Sequence, residues 1–447
     1  MDIIIPDNIL SVMRRLRESG YEAYIVGGCV RDSLLGLVPN DYDIATNALP
    51  EQTKNCFSDM LTIDTGIKHG TVTVVSDHTN VEITTFRVDG DYSDLRRPDS
   101  VSFTDSLTAD MSRRDFTINA MAYSDETGVI DRFGGQSDLF RHIIRSVGDP
   151  KKRFGEDALR ILRALRFAAQ LDFEIEEKTS EAIHEMCSLL GSISAERIRT
   201  ELEKLLCSKA PAEVLINYAD VFSEIIPEFK NSIGFDQHSP YHVYDVWKHI
   251  AYAVEHSKNV REVRLALFFH DIAKPACFVT DDEGRGHFPK HELLGEEMTE
   301  RIMRRLRFDN KTIKTVCELV KYHYVTPIDD DSVIKRLLSV IGSDQLKLLI
   351  EVLKGDSRAK EAFCLERVNV LDSMKIRMYE ILSSSECWSL DTLAIDGTDV
   401  AKLGFEGKHI GEVLDKLLSD VIEGDVQNEK EALSARALRY KKELQSI

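Results

Sequence analysis

Apolar residues recur along this chain in two different periods, and the change from one to the other divides it. Asp7–Ser19 carries apolar positions at helical spacing, and the short apolar run Ala23–Val26 follows. Thr71–Val75 and Val81–Phe86 are rich in β-branched residues and alternate or run apolar, as strands do. These segments predict a mixed α/β unit over the first 140 residues or so. From about Asp149 onward the strand patterns stop. Phe154–Gln170, Glu196–Leu206, Val246–His256, Val263–His270, Glu296–Arg305 and Ser332–Ser339 all show the spacing of amphipathic helices. No low-complexity linker or internal repeat interrupts them. The expected fold class is α+β, with boundaries near 140, 210 and 370: residues 1–140 on a mixed sheet, then all-α stretches at 141–210, 211–370 and 371–447.

At 447 residues there is ample length for more than one core. No apolar run reaches the roughly 18 residues of a membrane helix, and the N-terminus lacks a secretory leader, so no membrane association is expected. The eight cysteines are scattered with no Cys-x-x-Cys, which favours reduced thiols in a cytoplasm over disulfides or zinc. A formal net charge of −19 argues against general adhesion to nucleic acid. Phosphate binding is local, however, and Arg141–Arg166 holds eight Lys/Arg against three acids. That seam suits a partner engaged along a defined track.

The most informative chemistry lies near the start. Asp41 and Asp43 follow the stretch Tyr24-Ile-Val-Gly-Gly-Cys-Val-Arg-Asp-Ser-Leu-Leu-Gly36. In a strand, residues two apart share a face, and two carboxylates there can hold a divalent metal through hard oxygen ligands. Gly27-Gly28 lets a turn approach a phosphate closely. Metal beside phosphate reads as nucleotidyl or phosphoryl transfer. The order apolar strand, Gly-Gly, Val-Arg-Asp, short loop, Asp41-Tyr-Asp-Ile-Ala-Thr46 resembles the nucleotidyltransferase superfamily with a polymerase-beta-like head. Within it, the chain is similar along essentially its whole length to the class II tRNA nucleotidyltransferases, the CCA-adding enzymes.

Further motifs carry the resemblance. Arg113-Arg-Asp-Phe-Thr-Ile-Asn-Ala-Met121 is similar to the ribose and triphosphate motif, which implies nucleotide-binding roles for Gly28, Arg31, Arg114, Asp115 and Asn119. Asp131-Arg-Phe-Gly-Gly135 resembles the hinge from head to neck. Glu82, in Val81-Glu-Ile-Thr-Thr-Phe-Arg87, is the candidate third carboxylate beside the catalytic, metal-holding Asp41 and Asp43. Glu156-Asp-Ala-Leu-Arg160 opens a periodic helix on which Asp157 and Arg160 are expected to share a face, with Arg163 and Arg166 continuing it toward triphosphate or acceptor stem. Cytosine and adenine both present an amine donor beside a ring-nitrogen acceptor. A carboxylate accepts from the amine and a guanidinium donates to the ring nitrogen, whereas guanine and uracil meet donor with donor. Each mismatched buried group costs about 1–3 kcal/mol. The resemblance assigns this amino-acid template to Asp157 and Arg160.

Phe86–Phe103, rich in Gly, Asp, Ser and Pro, reads as a mobile loop. In the family such a loop implies competence for the terminal A. Ser194-Ala-Glu-Arg-Ile-Arg-Thr-Glu201 resembles the next family motif, and Gly404-Phe-Glu-Gly-Lys-His-Ile-Gly411 resembles a tail segment able to hold tRNA phosphates at a helix start. Between them Phe269-His-Asp-Ile-Ala-Lys-Pro275 resembles an HD-type metallophosphohydrolase, which implies a site of His249, His270, Asp271 and Asp356 for a transition metal. Seven of the thirteen histidines fall between residues 238 and 291.

The resemblance therefore implies a cytoplasmic enzyme with head, neck, HD-type body and tail. It would add CCA to the tRNA 3′ end from CTP and ATP with Mg²⁺, releasing pyrophosphate; no protein partner is expected. A poly(A) polymerase shares the head motifs but usually carries a long basic extension. A CC-only enzyme is disfavoured by the loop. An HD phosphohydrolase with an RNA-binding head would not need Asp41, Asp43, Asp157 and Arg160.

Overall fold

The computed structural model describes residues 3–90 and 100–445. It divides into two compact units, Met1–Pro227 and Glu228–Ile447. The first is built on a seven-stranded mixed sheet. In chain order its strands are β1 (Ala23–Val26), β2 (Asp43–Thr46), β3 (Thr62–Gly66), β4 (Thr71–Ser76) and β5 (Thr79–Thr85); a separate hairpin of β6 (Arg87–Asp89) and β7 (Val101–Phe103) precedes β8 (Met121–Ser124) and β9 (Gly128–Asp131). The spatial order is β3-β4-β5-β2-β1-β8-β9, and only β2 and β5 run parallel. Ile44 and Ala45 of β2 and Val81 and Ile83 of β5 are buried, which fixes their register.

Helix α1 (Asp7–Glu18) buries Ile9, Val12, Met13 and Leu16, an i, i+3, i+4, i+7 stripe. Short helices α2 (Gly28–Leu34), α3 (Pro50–Cys56), α4 (Leu107–Ser112) and α5 (Gly135–Arg141) join the strands. The predicted helix Phe154–Gln170 is two helices, α6 (Pro150–Glu156) and α7 (Leu159–Leu171). Asp157 between them is extended (φ −141°, ψ 102°), and its Oδ1 accepts from Leu159 N at 3.1 Å, starting α7 as capping side chains do. The unit closes with α8 (Glu177–Met186), α9 (Ala195–Leu206), α10 (Pro211–Asn217) and α11 (Ala219–Ile225).

The second unit holds α12 (Val246–Glu255), α13 (Arg261–Phe269), α14 (His291–Arg305), α15 (Asn310–Tyr322), α16 (Asp331–Arg358) and α17 (Glu366–Ser383). Phe229, Trp247, Phe268 and Phe269 interlock at its centre, with ring centroids 4.8 Å apart for Phe229–Phe268. Gly342, at φ +77°, breaks α16. The C-terminal helices α18 (Gly397–Lys402), α19 (Lys408–Glu423) and α20 (Lys430–Gln445) enclose a cluster including Leu393, Val400, Phe405, Leu417 and Leu433.

Strands do not vanish after Asp149. Glu174–Ile175 pairs with Ile143–Ile144, and Val279–Thr280 with Gly286–His287; at two residues each they are too short to leave a period in sequence. All eight cysteines are free, and among the described residues no helix is long and apolar enough to cross a membrane.

Candidate active site

Asp43 opens β2 at the centre of the sheet, paired with Val26 on one side and with Glu82 on the other. Register partners on adjacent strands project to the same face, so Glu82 stands beside Asp43. Asp41 precedes the strand rather than lying in it. Protein packed around Asp43 strips water from its carboxyl and pushes it up to about 6; Asp41 and Glu82 add like-charge repulsion, and Arg114 pulls the other way. Asp41 and Glu82 thus set negative charge around the Asp43 carboxyl, and an oxygen donor set of this kind suits a hard divalent ion.

The turn beside them depends on Gly27. Its φ of +83° is open to glycine, and a Cβ there would lie 3.0 Å from Arg114 Nη1. Gly28, by contrast, has room for a side chain, with Arg31 Nη2 at 3.7 Å from its would-be Cβ. The strict conformational requirement thus falls on Gly27, the first of the glycine pair read from sequence. Arg114 is held through Asp110, 3.4 Å away and almost fully buried.

A chain of polar contacts continues into the helices. Arg31 Nη1 donates to Asn119 Oδ1 (2.7 Å), and Asn119 Nδ2 donates to Asp115 Oδ1 (3.2 Å). Arg163 Nε and Nη2 donate to Asp115 Oδ2 at 2.9 and 2.6 Å. Burial alone would raise the Asp115 carboxyl, but the Arg163 charge and these hydrogen bonds win and hold it down at about 2. The guanidiniums of Arg31, Arg163 and Arg166 lie 5.0, 5.3 and 4.0 Å from the Phe167 ring centroid.

Asp157 and Arg160 do not form the helical ion pair that their spacing allows. Asp157 Oδ2 accepts from Arg197 Nη2 of α9 at 2.8 Å. Arg160 Nη1 donates to Glu156 Oε2 at 2.8 Å, and its Nη2 to the Arg113 carbonyl at 2.9 Å. Each is therefore oriented by a different partner. Glu156 and Arg197 lie in motifs read from sequence but were given no role there; Arg197 is 40 residues from Asp157, and only the packing of α9 on α7 brings the two together. Arg166 departs from the expected nucleotide contact. It is buried, with Nε on Glu201 Oε2 (2.5 Å) and Nη1 on Gln170 Oε1 (2.8 Å), so it ties α7 to α9.

The basic seam needs the same correction. Arg145, Lys151, Arg153, Arg160, Arg163 and Arg166 all meet carboxylates, supplied by Asp138, Glu176, Glu185, Glu156, Asp115 and Glu201. Most of these acids are distant in sequence, so a window count overstates the positive surface. At the expected hinge, the Asp131 carboxylate accepts four backbone N–H groups, from Phe133, Gly134, Gly135 and Gln136, at 2.9–3.2 Å. A Cβ on Gly135 would lie 2.3 Å from the Thr117 carbonyl oxygen, which makes this a tightly fastened turn. Of the expected loop at 86–103, residues 91–99 lie outside the described residues, and on either side of them Arg87–Asp89 and Val101–Phe103 pair as the antiparallel β6–β7 hairpin, not as open loop.

The second unit contains a separate buried cluster. His249 comes from α12, His270-Asp271 from the end of α13 and Asp356 from α16. His249 Nε2 lies 3.2 Å from His270 Nε2 and 3.1 Å from Asp356 Oδ1, and His270 Nε2 lies 3.1 Å from Asp271 Oδ2. The four residues expected from sequence therefore converge. Burial opposes their charge, yet the neighbouring cations, His270 and Lys274 for Asp271 and Lys360 for Asp356, keep both carboxyls well below their usual range. His291 and His323 also reach Asp271, a convergence that the sequence reading did not assign.

The family described as Poly A polymerase head domain matches residues 23–145, and tRNA nucleotidyltransferase domain 2 matches 292–437. The CCA-adding enzyme of Leuconostoc mesenteroides is 34% identical over 432 residues, 96% of this chain and 95% of its own. This chain belongs to the CCA-adding enzyme family. Members from Limosilactobacillus fermentum and Ligilactobacillus salivarius are 53% and 48% identical, over 44% and 52% of this chain; those matches span only 49% and 59% of the relatives' own length. The crystal structure of the Bacillus stearothermophilus family member in complex with CTP superposes with a TM-score of 0.72 at 29% identity, covering 99% of this chain and all of that one. The Thermotoga maritima member complexed with tRNA, at 21% identity and a TM-score of 0.62, shares the fold.

Proposed function

We propose that this chain adds CCA to the 3′ end of tRNA from CTP and ATP. The observation that carries this reading is the bond from Arg160 Nη2 to the Arg113 carbonyl: it brings the base-reading helix to the residue next to Arg114, whose charge reaches Asp43. Family membership supports it, as do relatives whose structures contain CTP, ATP or tRNA.

Asp41, Asp43 and Glu82 would hold a divalent metal, which we take to be Mg²⁺ from the oxygen-only donor set. Bound there, it would acidify the attacking hydroxyl and neutralise the triphosphate. The tRNA 3′-hydroxyl attacks the α-phosphorus of CTP or ATP, and pyrophosphate leaves. Arg114, braced by Asp110 beside Gly27, takes the triphosphate, with Gly28 giving backbone access. Asn119 and Asp115 read the ribose, and Arg31 and Arg163 hold them in place. Asp157 accepts from the base amine and Arg160 donates to the ring nitrogen, so C and A fit while G and U oppose like groups. Arg166 acts at a distance, fixing α7 to α9. We assign residues 1–140 as head, 141–210 as neck, 211–370 as body and 371–447 as tail, and place the enzyme in the cytoplasm. In the tail, α19 starts at Lys408 after Gly407 with no side-chain cap, which supports contact with tRNA phosphates.

The quartet His249, His270, Asp271 and Asp356 favours a second reading for the other unit, a transition-metal phosphohydrolase. It fits a metal: Asp271 Oδ2 is buried without a well-formed hydrogen bond, although Lys274 Nζ lies 2.8 Å away.

The test of the main reading is incorporation of labelled nucleotides into tRNA lacking its terminal CCA, supplied singly and in pairs. CTP alone should add two residues, CTP with ATP three, and UTP or GTP none. Asp41→Ala and Asp43→Ala should abolish addition while tRNA binding persists. Long A tails would instead indicate a poly(A) polymerase.

A further inference from the structure

Resting on the CCA-adding reading of the first unit, we propose that the exposed apolar pair Leu37 and Val38, in the loop between α2 and β2, seats the last base of the tRNA acceptor end as its 3′-hydroxyl comes to the carboxylates.

The loop is stiff and uncovered. Helix α2 ends in a complete Schellman turn: Gly36, at φ +75°, donates its N–H to the Ser33 carbonyl at 3.0 Å, and Leu37 N donates to the Asp32 carbonyl at 2.9 Å. In such a turn the residue in the place of Leu37 ordinarily packs back on an apolar side chain in the last turn of the helix. Here that position belongs to Arg31 and Asp32, which pair with each other at 2.7 Å and offer no apolar cover. Leu37 is left 54% exposed and Val38 90%. Pro39 fixes φ on the far side. Two aliphatic side chains thus stand in solvent on a backbone held by hydrogen bonds and a proline ring, so little entropy is lost when a ligand settles on them.

Their place in the chain selects the occupant. The loop joins α2, which carries Arg31, to β2, which carries Asp43, and Val38 lies three residues before Asp41. Three residues span at most about 11 Å, which keeps Val38 close to whatever nucleotide presents its hydroxyl at Asp41. The RNA backbone finds no partner here: no Lys or Arg occurs between Arg31 and Lys54, while Asp32, Asp41 and Asp43 repel phosphate. An apolar surface flanked by acids suits the uncharged part of a nucleotide, the face of its base, and contact with a face is indifferent to sequence. The end of the RNA changes with each addition, and a surface that meets only the face accepts every such end.

The test measures steady-state addition by the full chain on two substrates, a tRNA lacking its CCA and the same tRNA with its last base removed to leave an abasic sugar. Both side chains are exposed, so polar replacements leave the fold intact, which an unchanged urea midpoint verifies. On the first substrate Val38→Ser and Leu37→Ser should each raise the KM for tRNA about 5- to 10-fold, the scale of partly burying one aliphatic side chain, with the KM for CTP unchanged. Val38→Ile should match wild type. On the abasic tRNA, wild type should show the same rise and the Ser variants no further one. A KM for tRNA in both Ser variants equal to that of wild type would overturn the proposal. An equal rise on both substrates would place the contact elsewhere on the RNA and overturn the assignment to the last base. A dimer in light scattering that Val38→Ser dissociates would make the pair a contact between copies of this chain and overturn it as well. Failure of wild type itself to add nucleotides would overturn the CCA-adding reading, and this proposal with it.

Discussion

Replacing Asp157 by Asn probes base selection with little disturbance of the fold. Asp157 Oδ1 accepts from Leu159 N at 3.1 Å and Oδ2 from Arg197 Nη2 at 2.8 Å. Asn caps a helix as well as Asp, so the start of α7 survives the change wherever the amide oxygen stays on Leu159 N. The amide nitrogen, however, replaces one acceptor with a donor. If it replaces Oδ2, it faces the Arg197 guanidinium, donor against donor. If the amide turns, Arg197 keeps its oxygen while the NH₂ takes the Oδ1 position, gives up the bond from Leu159 N and presents its hydrogens to the base. In either pose an acceptor for the amine of C or A is lost, and in the second a donor for the carbonyl of U or G is gained. One mispaired buried polar group is worth about 1–3 kcal/mol, or roughly 5- to 150-fold in discrimination. Single-turnover incorporation of each of the four nucleotides measures it directly. CTP and ATP should fall and UTP or GTP should become detectable, while the urea midpoint moves little. Unchanged base preference with only a slower overall rate would refute the reasoning and make Asp157 a plain helix cap.

Other perturbations test the surrounding parts. Deleting residues 91–96 should leave CC addition and suppress the terminal A, read as product length on a sequencing gel; equal loss of both would contradict the loop's selective role. Such a deletion should spare Asp89, which pairs with Arg87 at 3.1 Å and lies 3.6 Å from Arg113. Arg166→Met should destabilise the first unit by about 3–5 kcal/mol in urea unfolding, because it strands Glu201 as a buried charge; adding Glu201→Gln should recover much of the loss. Asp115, held at about 2 against an unfolded value near 3.8, stabilises the native state fully only above the unfolded value. That contribution, about 2 kcal/mol, fades as pH falls from about 4 to 2. Acid titrations of wild type and Arg163→Ala should therefore converge at the low end of that range, and a constant offset would show that the pair is not the source.

Local features were legible in the sequence and long-range partners were not. Strand β1 and helix α1 follow from periodicity, because each is fixed by neighbours close in the chain, whereas Glu82 stands beside Asp43 only through the pairing of β2 with β5. The break at Asp157 was hidden by an apolar period that runs unbroken through it; only a capping side chain distinguishes the two helices. The pairing of Arg166 with Glu201 spans 35 residues, and no spacing rule distinguishes it from a solvated arginine. His291 and His323 were visible as histidines, but their meeting on Asp271 depends on how α14 and α15 end. The kink at Gly342 was equally silent, since one glycine within a helical pattern is common.

Helix α7 places three arginines on successive turns, and each answers to a different neighbour: Arg160 to the Arg113 carbonyl, Arg163 to Asp115 and Arg166 to Glu201. A helix advances about 100° per residue, so one inserted or deleted residue between 160 and 166 would swing part of this row away from its partners. Substitutions within the row act one contact at a time, whereas a change of length acts on phase. Among homologous chains this helix should therefore vary in composition but hold its length, with insertions and deletions confined to the loops before Pro150 and after Leu171.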